Sequence, residues 1–283
     1  MQNNIWNVDL TGKVVVVTGA GGVIGSEFAM ALARCNARVA LLDLTMSNAK
    51  LVEDAIRRAD KIARGYECNV LDKKQVETVA GQVERELGKC DILVNCAGGN
   101  HPLATTDKEY LELSDLDGEI KTFFDLEEEG IRKVFDLNIL GSILPTQAFS
   151  KQMLGKAGCS IVNISSMNAF CPLTKIPAYS SAKAGVSNFT QWLAVHFSKV
   201  GIRVNALAPG FFSTKQNAQL LWQADGSPTP RTHKILSSTP MGRFGESQEL
   251  VGGLLFLVDE RASSFITGVV LAIDGGFSAY SGV

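Results

Sequence analysis

Four consecutive valines at residues 14–17, followed by Thr18 and then by Gly19, Gly21, Gly22 and Gly25, constrain this chain more than any other feature. An unbroken β-branched run reads as a strand buried on both faces. Helix-like sequence follows from about residue 24 to 36. A strand, a glycine loop and a helix in that order bring backbone N–H groups and the positive end of a helix dipole against a phosphate. The loop reads TGAGGVIG, which fits TGxxxGxG better than GxGxxG. Thr18, Gly19, Gly21, Gly22, Val23, Ile24 and Gly25 are therefore the expected contacts of a dinucleotide pyrophosphate. Glycines also serve plain tight turns; their place directly after the first buried strand favours the phosphate.

Asp43 ends the second apolar run, residues 38–43. A carboxylate there can accept both hydroxyls of an adenosine ribose and would repel a 2′-phosphate. No Arg or Lys stands in the glycine loop or at Leu44 and Thr45 to neutralise such a phosphate. NAD is thus favoured over NADP, the plainer alternative being an Asp that merely starts a turn.

The same alternation continues along the chain. Strands are expected at residues 66–70, 91–96, 160–165, 203–208 and 269–274, and helices at 47–64, 73–87, 135–154, 180–199 and 248–258. This rhythm predicts an α/β fold, a doubly wound, mostly parallel sheet of about seven strands with helices on both faces. Residues 1–283 form one domain, with a cofactor half to about residue 160 and a substrate half from 161 onward. Two stretches interrupt it. Residues 100–130 are rich in Asp and Glu and read as a solvated surface insertion with a short helix; residues 211–240 carry Pro228, Pro230 and Pro240 and read as a flexible lid.

Composition excludes several classes. Charged residues make up 20% and balance to a net charge of −2, which gives no field for nucleic acid or an anionic membrane. Residues 1–10 lack the basic and apolar regions of a signal peptide, and no apolar run is long enough to span a bilayer. The six cysteines form no CxxC pair and no metal-ligand spacing, so no metal is expected, and they read as reduced residues of a cytoplasmic protein.

Ser166, Tyr179 and Lys183 carry the chemistry. Tyr179 and Lys183 are four apart in a helical stretch and share a face. A free phenol titrates near about 10, too high for neutral acid–base work. A neighbouring ammonium and a cationic nicotinamide both favour the phenolate and lower that value. Ser166 closes the preceding strand and can hydrogen-bond a substrate oxygen.

With these pieces the chain resembles the short-chain dehydrogenase/reductase family over nearly its whole length. The matching segments are TGAGGVIG, NCAG at 95–98, Asn138 in FDLNILGS, NISS at 163–166, YSSAK at 179–183 and PGFFST at 209–214. The resemblance implies a Rossmann-type fold, NAD-dependent oxidation of a CH–OH group and a homotetramer. It implies a catalytic tetrad of Asn138, Ser166, Tyr179 and Lys183, with Asn138 kinking its helix and holding a water in the proton relay. It places Asn95, Ala97 and Gly98 on the adenosine side, and Asn69 and Val70 at the adenine. Asn163 ties the central strands. Pro209, Gly210, Phe212 and Thr214 join Tyr179 and Lys183 around the nicotinamide. Val23 stands where the family's middle glycine is usual, which leaves open which glycine approaches the phosphate.

Further segments, among them GGNHPLATTD, TFFDLEEEG and DGGFSAYSGV, are similar to the family's D-mannonate oxidoreductase branch. That likeness implies reduction of D-fructuronate to D-mannonate and the reverse. A uronate needs a cation or a fork of donors for its carboxylate and amides for its hydroxyls. Asn100, His101, Ser166, Asn168, Lys175, Gln216 and Asn217 are the expected substrate contacts. Plainer roles stand beside them: Lys175 as a solvated loop lysine and His101 as a turn cap. Rival readings are a gluconate 5-dehydrogenase, a ketoacyl-carrier reductase and a nucleotide-sensing protein without activity. The acidic insertion disfavours a carrier-protein partner, and a sensor has no need of the tetrad.

Overall fold

The computed structural model describes residues 7–213, 221–223 and 225–282. Seven parallel strands run in the order β3-β2-β1-β4-β5-β6-β7. They are β1 Val14–Thr18, β2 Arg38–Asp43, β3 Ala63–Glu67, β4 Ile92–Asn95, β5 Cys159–Ile164, β6 Ile202–Pro209 and β7 Val270–Ile273. The order reverses between β1 and β4, which are hydrogen-bonded neighbours from Val15↔Ile92 to Thr18↔Asn95. Ligands of open α/β sheets bind where the strand order reverses, beyond the carboxyl ends of the strands.

Strand pleating divides the core in two. Val15 and Val17 point into the layer formed with Phe28 and Leu32 of α1 (Val23–Arg34), Ile56 of α2 (Met46–Arg58) and Leu250 and Leu254 of a late helix, Glu249–Val258. Val14 and Val16 point to the other face, against Val76 and Val83 of α3 (Lys73–Glu86), Phe149 and Met153 of α5 (Gly141–Met153) and Leu193 of α6 (Pro177–Phe197). All of β1 is buried, as the valine run requires.

Two elements differ from expectation. The second helix ends at Arg58 rather than running to 64, because Asp60 turns into the left-handed region at φ 58°. β3 consequently begins at Ala63 and closes at Glu67 opposite Asp43. As the edge strand it buries only Ala63 and Tyr66, so its signal is alternation and not a continuous apolar run. The helix expected over 135–154 starts earlier, as α4 (Glu128–Phe135), passes through a π turn at Asp136–Leu140 and continues as α5. The acidic insertion is built of 3₁₀ turns at Pro102–Ala104, Leu113–Asp117 and Phe123–Asp125. Past β6, the described parts of the lid stretch include the helix α7, Pro230–Ser237. Among the described residues no helix is long and apolar enough to cross a membrane, and no cluster of His, Cys, Asp and Glu could hold a metal ion.

Candidate active site

A cleft of about 810 Å³ opens at the carboxyl ends of β1, β2, β4, β5 and β6. Its floor begins with the glycine loop. Gly19 takes φ 62° and packs so that a Cβ there would lie 2.9 Å from the Ala97 Cα. A Cβ on Gly21 would lie 2.9 Å from Asp43 Oδ2, whereas one on Gly22 meets nothing closer than the Gly19 carbonyl at 3.3 Å. Gly21 is therefore required by the packing of the loop against Asp43 and Asn48, and Gly22 caps α1 without any side-chain acceptor. The first N–H groups of α1 are left for an anion. Val23, which replaces a glycine of the motif, is the first residue of α1 and lines the cleft with Ile24 and Gly25.

Asp43 is buried at 8% exposure. Its Oδ2 accepts the Gly21 amide at 2.9 Å, and its Oδ1 accepts the Thr45 amide at 3.2 Å and Asn48 Nδ2 at 3.3 Å. The carboxylate is held at the cleft wall by α2's first turn. Asn69 and Val70 line the same end, and Asn69 Oδ1 is occupied by the Leu71 amide at 3.0 Å. Ala97 and Gly98 line the floor after β4.

Thr18 and Asn95 do not reach the cleft surface. Thr18 is fully buried, and its Oγ1 accepts the amides of Cys96 and Ala97 at 3.0 and 3.1 Å, which shapes the floor from beneath. Asn95 points into the interior, where Nδ2 donates to Asn163 Oδ1 at 2.8 Å and Thr146 Oγ1 at 2.9 Å. Asn163 in turn donates to Thr190 Oγ1 at 2.9 Å, tying β4 and β5 to α5 and α6. Both residues support the site and do not line it.

Pro177 opens α6 at its first position, which places Tyr179 in the first turn and Lys183 one turn on. Lys183 Nζ lies 5.6 Å from the centre of the Tyr179 ring and donates to the carbonyl of Ile164, the last residue of β5, at 2.7 Å. Burial pushes its pKa down to about 8. Burial also raises the Tyr179 phenol, against the opposing hydrogen bond from Ser166. Ser165 fixes the helix to the sheet, donating to the Lys183 carbonyl at 3.0 Å.

Asn138 is fully buried inside the π turn. Its Nδ2 donates to the carbonyls of Gly99 at 2.8 Å and Val134 at 2.7 Å, and its Oδ1 accepts the Gly99 amide at 3.2 Å. A Cβ on Gly98 would lie 2.7 Å from Asn138 Oδ1 and 3.0 Å from Lys183 Nζ. The loop after β4 thus threads between these two side chains and has room only for glycine.

Pro209, Gly210 and Phe212 line the opposite wall after β6. Phe211 of the expected 209–214 segment lines the cleft as well, and so do Leu221, Phe244, Leu137 and Asn48, which were not anticipated. Phe211 and Leu137 sit beside expected residues, but Leu221 and Phe244 carry no local signal.

The expected substrate contacts are mostly elsewhere. Of them, Ser166 lines the cleft. Asn100 is exposed and donates to Thr105 Oγ1 at 2.9 Å. His101 caps the turn Pro102–Ala104, its Nδ1 accepting the Leu103 amide at 3.2 Å. Asn168 and Lys175 line a separate cavity. The cause is the 3₁₀ turn Met167–Ala169, capped by Ser166, which swings the chain off the cleft. Thr214, Gln216 and Asn217 lie outside the described residues.

The cleft fits NAD: a glycine loop packed too tightly against Ala97, Asn48 and Asp43 for side chains, an α1 N-terminus with no side-chain cap, a carboxylate at the end of β2, and no cation at Leu44 or Thr45 to take a 2′-phosphate. Residues 13–224 match the family described as short chain dehydrogenase. The chain belongs to that family. An uncharacterized oxidoreductase of Haemophilus influenzae is 58% identical over 277 residues, covering 98% of this chain and 97% of its own length. The uncharacterized oxidoreductase UxuB of Bacillus subtilis is 47% identical over 97% of this chain and 98% of its own. A crystal structure from Haemophilus, described as a candidate D-mannonate oxidoreductase with bound NAD, is 58% identical. It superposes with a TM-score of 0.95 over 98% of this chain and 99% of that one. The protein is accordingly an NAD-using oxidoreductase acting on a CH–OH group.

Proposed function

We propose that this protein interconverts D-mannonate and D-fructuronate. The convergence of Ser166, Tyr179 and Lys183 at the mouth of the glycine-loop cleft carries the catalytic part of this reading. The name borne by the 58% identical structure supports the substrate.

NAD bound in the cleft supplies an acceptor for hydride from the alcohol carbon and, when reduced, a donor of hydride to the ketone. The α1 N-terminus, left without a side-chain cap, would hold its phosphates, and Asp43 would meet the adenosine ribose. Tyr179 Oη takes the alcohol proton during oxidation and returns it to the ketone oxygen during reduction. Ser166 Oγ, already bonded to the phenol, holds the substrate oxygen beside it. The Lys183 ammonium lowers the cost of phenolate, which burial alone would raise. Asn138 bonds both backbone groups of Gly99 and the Val134 carbonyl, which fixes the π turn against the loop that passes Lys183. One carbon is oxidised by two electrons and one proton leaves by way of Tyr179, so the step balances.

The test is NADH mixed with D-fructuronate and followed at the nicotinamide absorbance. NADH oxidation with D-mannonate as product is expected. No oxidation, with turnover of another keto-acid instead, moves the substrate assignment to that compound.

A further inference from the structure

The acidic insertion reaches α7 through an ion pair that neither the cofactor site nor the tetrad uses. Glu109 Oε2 lies 2.8 Å from Lys234 Nζ, joining residues 125 positions apart. The Lys234 ammonium holds the Glu109 carboxyl below its ordinary range, with smaller help from Lys175 and Arg231.

Both ends of this pair are built in. Behind Glu109, the Thr106 amide donates to the Lys175 carbonyl at 2.9 Å, which fixes the insertion to the loop between Ser166 and Tyr179. The Asp107 amide donates to the Lys121 carbonyl at 2.9 Å, and Asp107 Oδ2 accepts the Lys121 amide at 2.8 Å. Lys108 pairs with the buried Asp115 at 2.6 Å. The residues leading to Glu109 therefore have their places set by other bonds. Behind Lys234, α7 grips the cleft wall. Thr232 is fully buried, and its Oγ1 donates to the Leu221 carbonyl at 2.5 Å, which also accepts the Thr229 amide at 3.0 Å. Ile235, next to Lys234, packs with Leu221 and Phe244. Leu221 and Phe244 line the reaction cleft with Ser166 and Tyr179.

We propose that Glu109 and Lys234 are positioning residues for the reaction: their pair sets α7, and α7 sets Leu221 and Phe244 in the cleft wall through Thr232 and Ile235. The pair serves whichever keto-acid the cleft reduces, so it rests on the cleft as the reaction site and not on D-fructuronate. An exposed ion pair adds little to global stability, and Lys234 is 66% exposed. A helix of eight residues is marginal by itself in water, however, so the place of α7 depends on the contacts made to it. Loss of the pair therefore acts on the wall more than on the melting temperature.

Trp222 reports on that wall. It follows Leu221 and packs edge-on to Phe244, with ring centres 6.1 Å apart. The experiment measures acrylamide quenching of Trp222, as the difference between each protein and its Trp222→Phe counterpart, beside steady-state kinetics on the keto-acid that the wild type turns over. Lys234→Met should make Trp222 easier to quench and raise KM for the keto-acid about twofold to fivefold, with kcat and NADH affinity within about twofold of wild type. Glu109→Gln should do the same, and the two changes together should cost no more than either alone, because they remove one interaction. Lys234→Arg keeps the charge and should stay near wild type. In about 1 M NaCl the wild-type quenching should approach that of Lys234→Met, since salt screens an exposed pair. Thr232→Val leaves the ion pair in place and tests the inner link; it should move both readouts as Lys234→Met does, and Thr232→Ser should move neither. If only one of the two readouts moves in Lys234→Met, or neither, the proposal fails. KM alone would mean that the charge acts on the substrate directly, and quenching alone that the wall does not bear on the reaction. Additive effects of the Glu109 and Lys234 changes overturn it as well. Failure of the D-fructuronate reading is separate: it appears in the wild-type absorbance assay and leaves the Trp222 signal unchanged.

Discussion

Asp43 holds the Gly21 amide at 2.9 Å, so the carboxylate proposed to meet the ribose also shapes the glycine loop. Asp43→Ala removes the ribose acceptor and the charge that repels a 2′-phosphate. It also frees the loop amide and Asn48. Binding of NADH should fall, by about tenfold or more for two lost hydrogen bonds to a charged group. NADPH should fall less, or gain, so the ratio of the two kcat/KM values shifts toward NADPH. Steady-state kinetics with both cofactors check this; an unchanged ratio would show that Asp43 serves the loop alone.

Tyr179→Phe should abolish turnover with NADH affinity nearly intact, since the ring remains and only the Oη is lost. Positioned acid–base catalysis contributes about 10²–10⁴-fold. Retention of more than about a tenth of the wild-type rate would remove Tyr179 from the proton path.

Gly98→Ala tests the packing between the tetrad members directly. The added methyl would fall 2.7 Å from Asn138 Oδ1, closer than real contacts allow, and 3.0 Å from Lys183 Nζ, tighter than most. One of the two side chains must shift. The expected result is a kcat loss of at least about tenfold with a smaller change in thermal stability, because the displaced groups are functional more than structural. Activity like wild type would mean that the loop after β4 yields instead.

What could be read in advance follows burial. The valines of β1 and the run of β2 are covered on both faces, so their limits match the apolar residues. β3 is an edge strand with two buried residues, and its span was expected three residues late. The grouping of Ser166, Tyr179 and Lys183 was legible because Tyr179 and Lys183 are bound by one helical turn and Ser166 by the end of a strand, geometry that spacing encodes. Lys175 and Asn168 were expected at the substrate because they lie between Ser166 and Tyr179 in sequence. A 3₁₀ turn and a left-handed lysine send that loop to the second cavity, and neither leaves a mark in residue spacing. Leu221 and Phe244 reach the cleft only through tertiary packing with Ile235.

The assembly should be a homotetramer. Large apolar side chains stand exposed on the single chain: Trp192 at 58% and Val195 at 77% on α6, and Phe265 fully exposed before β7. Exposed apolar groups of this size mark interaction surfaces. Light scattering at working concentration should return four times the chain mass; a monomer mass would refute it. Trp192→Glu should lower the mass observed.

Lys183 makes stability depend on pH in a particular direction. Burial holds its pKa at about 8, against an ordinary value of 10.5. Between these values the unfolded chain binds the proton and the folded chain does not, so this residue makes stability rise with pH across that window. Below about pH 8 the cost of burying the ammonium is present in full, on the order of 3 kcal/mol at 1.36 kcal/mol per unit. Lys183→Met carries no such cost. Its urea midpoint relative to wild type should therefore be highest near pH 7 and lose that advantage by about pH 10, without cofactor present. Groups remote from Lys183 whose pKa values burial raises, such as Cys68 at about 11, act in the opposite sense but cancel in the difference between the two proteins, and the neighbouring Cys96, at about 12, titrates in the folded chain above this window. Parallel stability curves for wild type and Lys183→Met from pH 7 to 10 would mean that the ammonium is not held out of water as the 2.7 Å bond to Ile164 and its burial indicate.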